Sequence, residues 1–398
     1  MSTKVDRWSE LVPIMLATES GRANLASGMP LTSVRLTDSI AEAAARVVSS
    51  HEWRQAVGRY HGVLGNPELR DTIAAFFAPR VSSEAASSGR ENVLITPGAQ
   101  AAFRYVGEHV RRQSRRLLMF GPEYPEYGTP GVDSRMACSA IMPGSGPVFR
   151  YALPDVEIGQ DIGAVVVSSP GNPTGKVLNP HEIHILATKC ERAGAVLVID
   201  GAYGNPWPGL NFTTAVAPPT AFGNNVISVG SFAKAGLAGE RLGFIVGPKE
   251  WIDRFAVEQS SFQVFPPVFP QLLALELISN TDYSAILAHD IRAELARRQT
   301  AFRLVLATRL NVPYQVHMAE GGQYVWMRLP ALTRFGAGEL FEKLLGAGVV
   351  VAPGAVFFSE EHKETDEAWR SMRISLTAPA ADLEYGAGRI AEVVNGLH

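Results

Sequence analysis

Cysteine is scarce: Cys138 and Cys190 are the only two in 398 residues. They lie far apart and show neither a disulfide framework nor metal spacing, so both read as reduced thiols, as expected of a cytoplasmic protein. No sign of charge dominates. Thirty-six Lys and Arg face 39 Asp and Glu, a net charge of −3, which gives no general pull toward nucleic acid or anionic lipid. No apolar run is long enough to span a membrane. The opening "MSTKVDRWSE" lacks the apolar core of a signal peptide. Repeats and low-complexity tracts are absent. His181 and His184, in "HEIH", have helical spacing but no third ligand, so a zinc site is not expected. "RRQSRR" (111–116) reads as a solvated helix end, and "EEHKETDE" (360–367) as an exposed loop or helix start.

What is present is core material: 46% of the residues are hydrophobic. Short Val/Ile/Leu-rich runs stand at 92–96, 116–120, 164–169, 195–200 and 226–232. Amphipathic segments such as "PHEIHILATKCERAG" (180–194) separate them. Strands buried on both faces, alternating with helices, imply an α/β fold with a mostly parallel sheet. The link from Phe232 to Leu242 is too short for a helical crossover, so "RLGFIVG" (241–247) should run antiparallel to its neighbour. After about residue 285 the texture changes. A long Arg/Ala-rich helix leads into "GGQYVWMRLP", "VVVAPGAVFF" and "SMRISLT", which read as a smaller α+β domain. The expected division is an N-terminal segment 1–45 belonging to the small domain, a large domain 46–285, and a C-terminal small domain 286–398.

In an open parallel sheet, ligands sit at the carboxyl ends of the strands. Gly98, Ala99 and Gln100 follow the first run and open a helix, where free backbone N–H groups suit an anion. Asn172 follows the third run, Asp200 and Tyr203 the fourth, and Ser231 and Lys234 the fifth, with Arg241 beyond. Ser231 and the Arg241 fork can serve the same phosphate. Asp200 suits a protonated ring nitrogen, and Asn172 and Tyr203 suit a phenolate oxygen. Lys234 would be costly as an unpaired buried ammonium, and an imine with an aldehyde removes that charge. Phosphate, pyridinium, phenolate and aldehyde together describe pyridoxal 5′-phosphate.

Longer stretches resemble a known family. "SSPGNPTG", "VIDGAYGNPWPG" and "SFAKAGLAGERLGF" are similar to the signatures of the class I/II, fold-type I aminotransferases. Within that family the resemblance is closest to the valine–pyruvate transaminase branch, which shares the short interval from Lys234 to Arg241. It implies a seven-stranded, mostly parallel sheet with one antiparallel strand, flanked by helices, plus a smaller α+β domain. It makes Lys234 the proton shuttle, Asp200 the partner of the pyridine nitrogen, and Tyr124 of "PEYPEY" a stacking partner for the ring. Gly98, Ala99, Ser231 and Arg241 would hold the phosphate. Tyr60 of "YHGVLGNPELR" would reach the phosphate of a neighbouring subunit, which implies a homodimer with shared active sites. Arg373 of "SMRISL" would fork onto the substrate's α-carboxylate, and Ser27 and Gly28 of "LASGMP" would line the substrate cavity. The activity implied is amino transfer between a small or apolar L-amino acid and a 2-oxo acid.

Some positions depart from the family pattern. Ala233 stands where a serine is usual, Ala99 replaces a hydroxyl, and Gly201 follows the aspartate. Each lost hydroxyl weakens phosphate binding by about 1 kcal/mol and hints at a specialised member. The alternative keeps the cofactor but eliminates, substitutes or cyclises at Cβ or Cγ, in the manner of capreomycidine-synthase-like or S-adenosylmethionine-using enzymes. A sensor domain of a DNA-binding regulator is the third reading. It is disfavoured, because no helix-turn-helix segment or basic patch is expected.

Overall fold

The structure is a computed structural model. It describes residues 8–16, 22–77, 89–128, 131–213, 223, 225–332 and 334–397. In chain order the strands are β1 (Ala23–Asn24), β2 (Val93–Thr96), β3 (Arg116–Gly121), β4 (Ser134–Cys138), β5 (Ala140–Pro143), β6 (Val148–Ala152), β7 (Ile162–Ser168) and β8 (Val196–Asp200). They continue with β9 (Val226–Ser231), β10 (Gly243–Val246), β11 (Gln315–His317), β12 (Tyr324–Arg328), β13 (Val349–Val350), β14 (Ala352–Pro353) and β15 (Ser371–Ser375).

The principal sheet has seven strands in the order β2-β10-β9-β8-β7-β3-β4. β10 pairs antiparallel with both β2 and β9, while the remaining pairings are parallel. This is the mostly parallel sheet with one reversed strand that the residue pattern implies. Every residue of β2, β7, β8, β9 and β10 is buried. Helices cover both faces, and two apolar clusters lie on them. Helix Pro180–Ala193 shows how local chemistry sets an element. Asn179 and Glu182 form a reciprocal capping box, Pro180 takes the first helical position, and Gly194 ends the helix at φ +61°. Arg115 donates to the Ala193 and Gly194 carbonyls. One residue of the basic run 111–116 therefore closes that helix end rather than facing solvent alone.

A second sheet of six strands runs β14-β15-β12-β11-β6-β5. It includes the stretches 324–328, 352–353 and 371–375 expected of a smaller α+β unit. It also takes β5 and β6 from between β4 and β7, which the sequence does not reveal. The long helix near 285–310 is broken by a π-helical turn at Leu287–Arg292, between helices Thr281–Ile286 and Ala293–Arg309. No described helix is long and apolar enough to cross a membrane.

For the site, the decisive consequence is alignment. β3, β7, β8 and β9 are parallel, so their carboxyl ends share one edge. β10 runs the other way and therefore starts at that edge. Arg373, in β15 of the second sheet, approaches from across the gap.

Candidate active site

The turn after β2 needs glycine. Gly98 holds φ +84° and precedes helix Ala99–Arg112 without a side-chain cap, so its first N–H groups are open to a ligand. A Cβ on Gly98 would lie 2.7 Å from Nη2 of Arg241. Gly243, at the start of β10, lies so close that its own Cβ would sit 2.7 Å from the Gly98 carbonyl carbon. The missing side chains bring the helix start, the Arg241 guanidinium and the buried Ser231 to one corner. Ala99 begins the helix there. Gln100 is exposed and turns away, donating to the Glu126 carbonyl.

Asp200 ends β8 in the core. Its Oδ1 accepts from the Ala202 N–H at 2.9 Å and its Oδ2 from the Tyr127 hydroxyl at 2.7 Å. Burial pushes its pKa up to about 6, while the Tyr127 hydrogen bond and the Lys234 charge pull it back. Tyr124 is half-buried, with its ring edge-on to Tyr127 at 5.3 Å. Beneath it, Glu123 is buried and accepts from the N–H of Tyr124 and from both the N–H and the hydroxyl of Ser168. Burial raises that acid to about 8 against the pull of those donors.

Lys234 lies in the turn Ala233–Ala235 after β9. Its Nζ donates to the Gly28 carbonyl and stands 5.8 Å from the centre of the Tyr203 ring. Burial lowers its pKa, and the charges of Arg373 and Arg241 add to that, opposed by Tyr324 and Asp200. The segment bearing Ser27 and Gly28 is thus at the lysine, with Ser27 Oγ accepting from Met29 N–H at 3.2 Å.

Arg373 is 1% exposed. Nη1 donates to Asn172 Oδ1 at 2.8 Å and Nη2 to the Ala26 carbonyl at 2.6 Å. Its guanidinium lies 4.2 Å from the Tyr324 ring centre and 4.9 Å from that of Phe357. Tyr203 and Tyr324 share a hydrogen bond, oxygen to oxygen, of 2.9 Å.

Lys234, Asp200, Tyr203, Asn172, Arg373 and Gly28 therefore converge, with Gly98, Ala99, Ser231 and Arg241 at the neighbouring corner. Tyr60 does not join them within this chain. It is 89% exposed, with its ring edge against Phe265. Four site residues escape sequence reading: Glu123, Tyr127, Gln323 and Tyr324. The second tyrosine of "PEYPEY" was a usable signal, since it falls three residues after Tyr124. Among the described residues no cluster of His, Cys, Asp or Glu could hold a metal ion.

The family model for aminotransferase class I and II matches residues 22–390. This chain belongs to the class I and II aminotransferases. The chain is 24% identical over 389 residues to the valine–pyruvate aminotransferase of Escherichia coli K12, covering 94% of this chain and 91% of that one. It is 27% identical over 383 residues to the valine–pyruvate aminotransferase of Mycobacterium tuberculosis H37Rv, with the same coverages. The crystal structure of a valine–pyruvate aminotransferase from Salmonella typhimurium LT2 superposes with a TM-score of 0.85 at 24% identity, over 98% of each chain. That likeness shows the fold-type I architecture.

As a class I/II aminotransferase the protein is a pyridoxal 5′-phosphate-dependent transferase, and its residues fit that cofactor. The corner at Gly98 leaves no room for a side chain beside Arg241 and offers open N–H groups to a phosphate. The buried Asp200 suits a protonated ring nitrogen. The Lys234 amine has a lowered pKa, as attack on an aldehyde requires.

Proposed function

We propose that this aminotransferase moves an amino group between a small, apolar L-amino acid and a 2-oxo acid, as the names of its valine–pyruvate relatives suggest. The observation that carries the reading is the placement of Arg373. Its fork is buried, shares Asn172 Oδ1, and lies over Tyr324 on the side of Lys234. A substrate carboxylate on Arg373 brings Cα within the reach of Lys234. A Cβ on Gly28 would already lie 3.3 Å from the Tyr324 hydroxyl. A side chain at position 28 would therefore crowd Tyr324.

In this reading Gly98, Ala99, Ser231 and Arg241 hold the phosphate, Asp200 the ring nitrogen, and Asn172 and Tyr203 the ring oxygen. Tyr124 covers the ring face. When bound, pyridoxal phosphate supplies an aldehyde that receives the amino group and a ring that accepts the electron pair left at Cα. Arg373 binds and orients the α-carboxylate. Lys234 would take the proton from the substrate's Cα and carry it across the site, a base role that its lowered pKa suits. Asp200, ionised against the ring cation, keeps that nitrogen protonated.

The reading includes a homodimer. Tyr60 is 89% exposed, and nearby Val264 is 58% exposed and holds φ +56°, an uncommon backbone for a β-branched residue. An exposed apolar surface of this kind suits a second copy of the chain, whose site Tyr60 would complete. Segments 1–45 and 286–398 are read as one unit, to which the second sheet adds β5 and β6, and the rest of 46–285 as the cofactor-bearing one.

A half-reaction tests the transfer. L-Valine added to the holoenzyme should bleach the visible cofactor band and release one equivalent of 2-oxo acid. A product that keeps its amino nitrogen would instead mark substitution or cyclisation, and ammonia released alongside a 2-oxo acid would mark elimination.

A further inference from the structure

Gln323 and Tyr324, at the start of β12, are both buried, at 1% and 2% exposure. Gln323 Nε2 donates to the Met29 carbonyl at 3.0 Å and to the Tyr324 hydroxyl oxygen at 3.4 Å. A backbone carbonyl only accepts, so the amide must present its nitrogen on this side. Tyr324 therefore receives a hydrogen from Gln323 and keeps its own to give. The Tyr203 oxygen is 2.9 Å away. Once Tyr203 accepts there, its own hydrogen is free to be given to the cofactor's ring oxygen. With Tyr324 as the donor, the run from Gln323 through Tyr324 to Tyr203 passes hydrogens one way.

Burial alone would raise the Tyr324 pKa, but Arg373, Lys234 and the hydrogen bonds with Tyr203 and Gln323 together outweigh it and lower it. Burial holds Tyr203 well above its ordinary value. The titratable groups facing Tyr324 are Arg373 from β15, Lys234 from the turn after β9, Tyr203 from beyond β8, and Tyr124 from beyond β3.

We propose that Tyr324 is a positioning residue for the amino transfer: fed by Gln323, it commits Tyr203 as a donor to the cofactor's ring oxygen. The inference rests on the reading of Tyr203 given under Proposed function. Tyr324 acts through Tyr203 and need not touch the substrate in this role.

The test uses substrate-free holoenzyme. The pH midpoint of its visible absorbance reports the proton held at Lys234 Nζ, which rises when donation to the ring oxygen weakens. Tyr203→Phe should raise that midpoint by about one unit, the worth of one hydrogen bond. Tyr324→Phe should raise it by about 0.3 unit through loss of cooperative polarisation. Adding Tyr324→Phe to Tyr203→Phe should move it no further. An unshifted midpoint in Tyr324→Phe, beside a shifted one in Tyr203→Phe, overturns this inference and spares the reading of Tyr203. If Tyr203→Phe leaves the midpoint in place, both fall. A raised KM for the amino acid with no spectral shift makes Tyr324 a substrate contact, and also overturns the proposal. Should Tyr324→Phe fail to load cofactor, Gln323→Leu decides the matter by the same upward shift or its absence.

Discussion

The Tyr127 hydroxyl donates to Oδ2 of Asp200 at 2.7 Å, wholly inside the core. Together with the Ala202 N–H on Oδ1, it aims the carboxylate and favours its ionised form. Tyr127→Phe removes one of these two bonds, so the Asp200 pKa should rise further. A hydrogen bond to a charged group is worth about 2 kcal/mol, so kcat/KM should drop by roughly thirtyfold. Steady-state kinetics check this, with cofactor content measured alongside to confirm that the variant still loads.

Stability of the cofactor-free protein should fall with rising pH. Asp200 titrates at about 6 in the folded chain, against about 3.9 when unfolded. The folded state thus holds this proton more tightly, and its stabilising effect is full below the unfolded value and lost through the folded one. The loss is on the order of 2–3 kcal/mol across that window. Glu123, raised to about 8, carries the same sign further up the scale. Thermal midpoints against pH should therefore flatten at the acid end in Asp200→Asn and at the upper end in Glu123→Gln. Loading the cofactor should flatten the acid end in the native chain as well, because its ring cation stabilises ionised Asp200.

Gly98→Ala places a methyl 2.7 Å from Arg241 Nη2 and forces alanine into φ +84°. The phosphate corner must open to admit it. The backbone strain alone costs about 1–2 kcal/mol. Affinity for pyridoxal phosphate should drop at least tenfold by fluorescence titration, whereas Ser231→Ala, which removes one hydroxyl, should cost less.

Arg373→Lys keeps the charge but loses the planar fork that spans Asn172 Oδ1 and the Ala26 carbonyl. Lysine cannot bind a carboxylate in two places. KM for the amino acid should rise roughly thirtyfold, the worth of one charge-assisted hydrogen bond of about 2 kcal/mol. The cofactor's absorbance without substrate should shift much less than KM, since lysine keeps the positive charge that Arg373 sets beside Lys234.

Much of the principal sheet could be read in advance because its strands are buried on both faces. Ile162–Ser168, Val196–Asp200 and Val226–Ser231 are continuously buried and rich in Val and Ile. The reversal of β10 followed from a link too short for a helix. β4 went unread because it is an edge strand with a single fully buried residue, Met136. β5 and β6 lacked a signal too, since exposed positions interrupt them. Residues at the strand ends, such as Asp200 and Lys234, announced themselves by position. Tyr127, Gln323 and Tyr324 act through side chains from distant segments. Tyr127 meets Asp200 only when β3 and β8 are set in one sheet, and Gln323 and Tyr324 meet Met29 and Tyr203 only when both sheets are assembled. Nothing local in "GGQYVW" marks its tyrosine off from an ordinary core residue.

The most direct measurement is chemical: reduce the holoenzyme with borohydride, digest it, and map the pyridoxyl label by mass spectrometry. The label is expected on the peptide containing Lys234, and Lys234→Ala should take none and lose half-reaction activity by more than about a thousandfold. A label on a different lysine, or a protein that takes up no pyridoxal phosphate, would contradict the assignment.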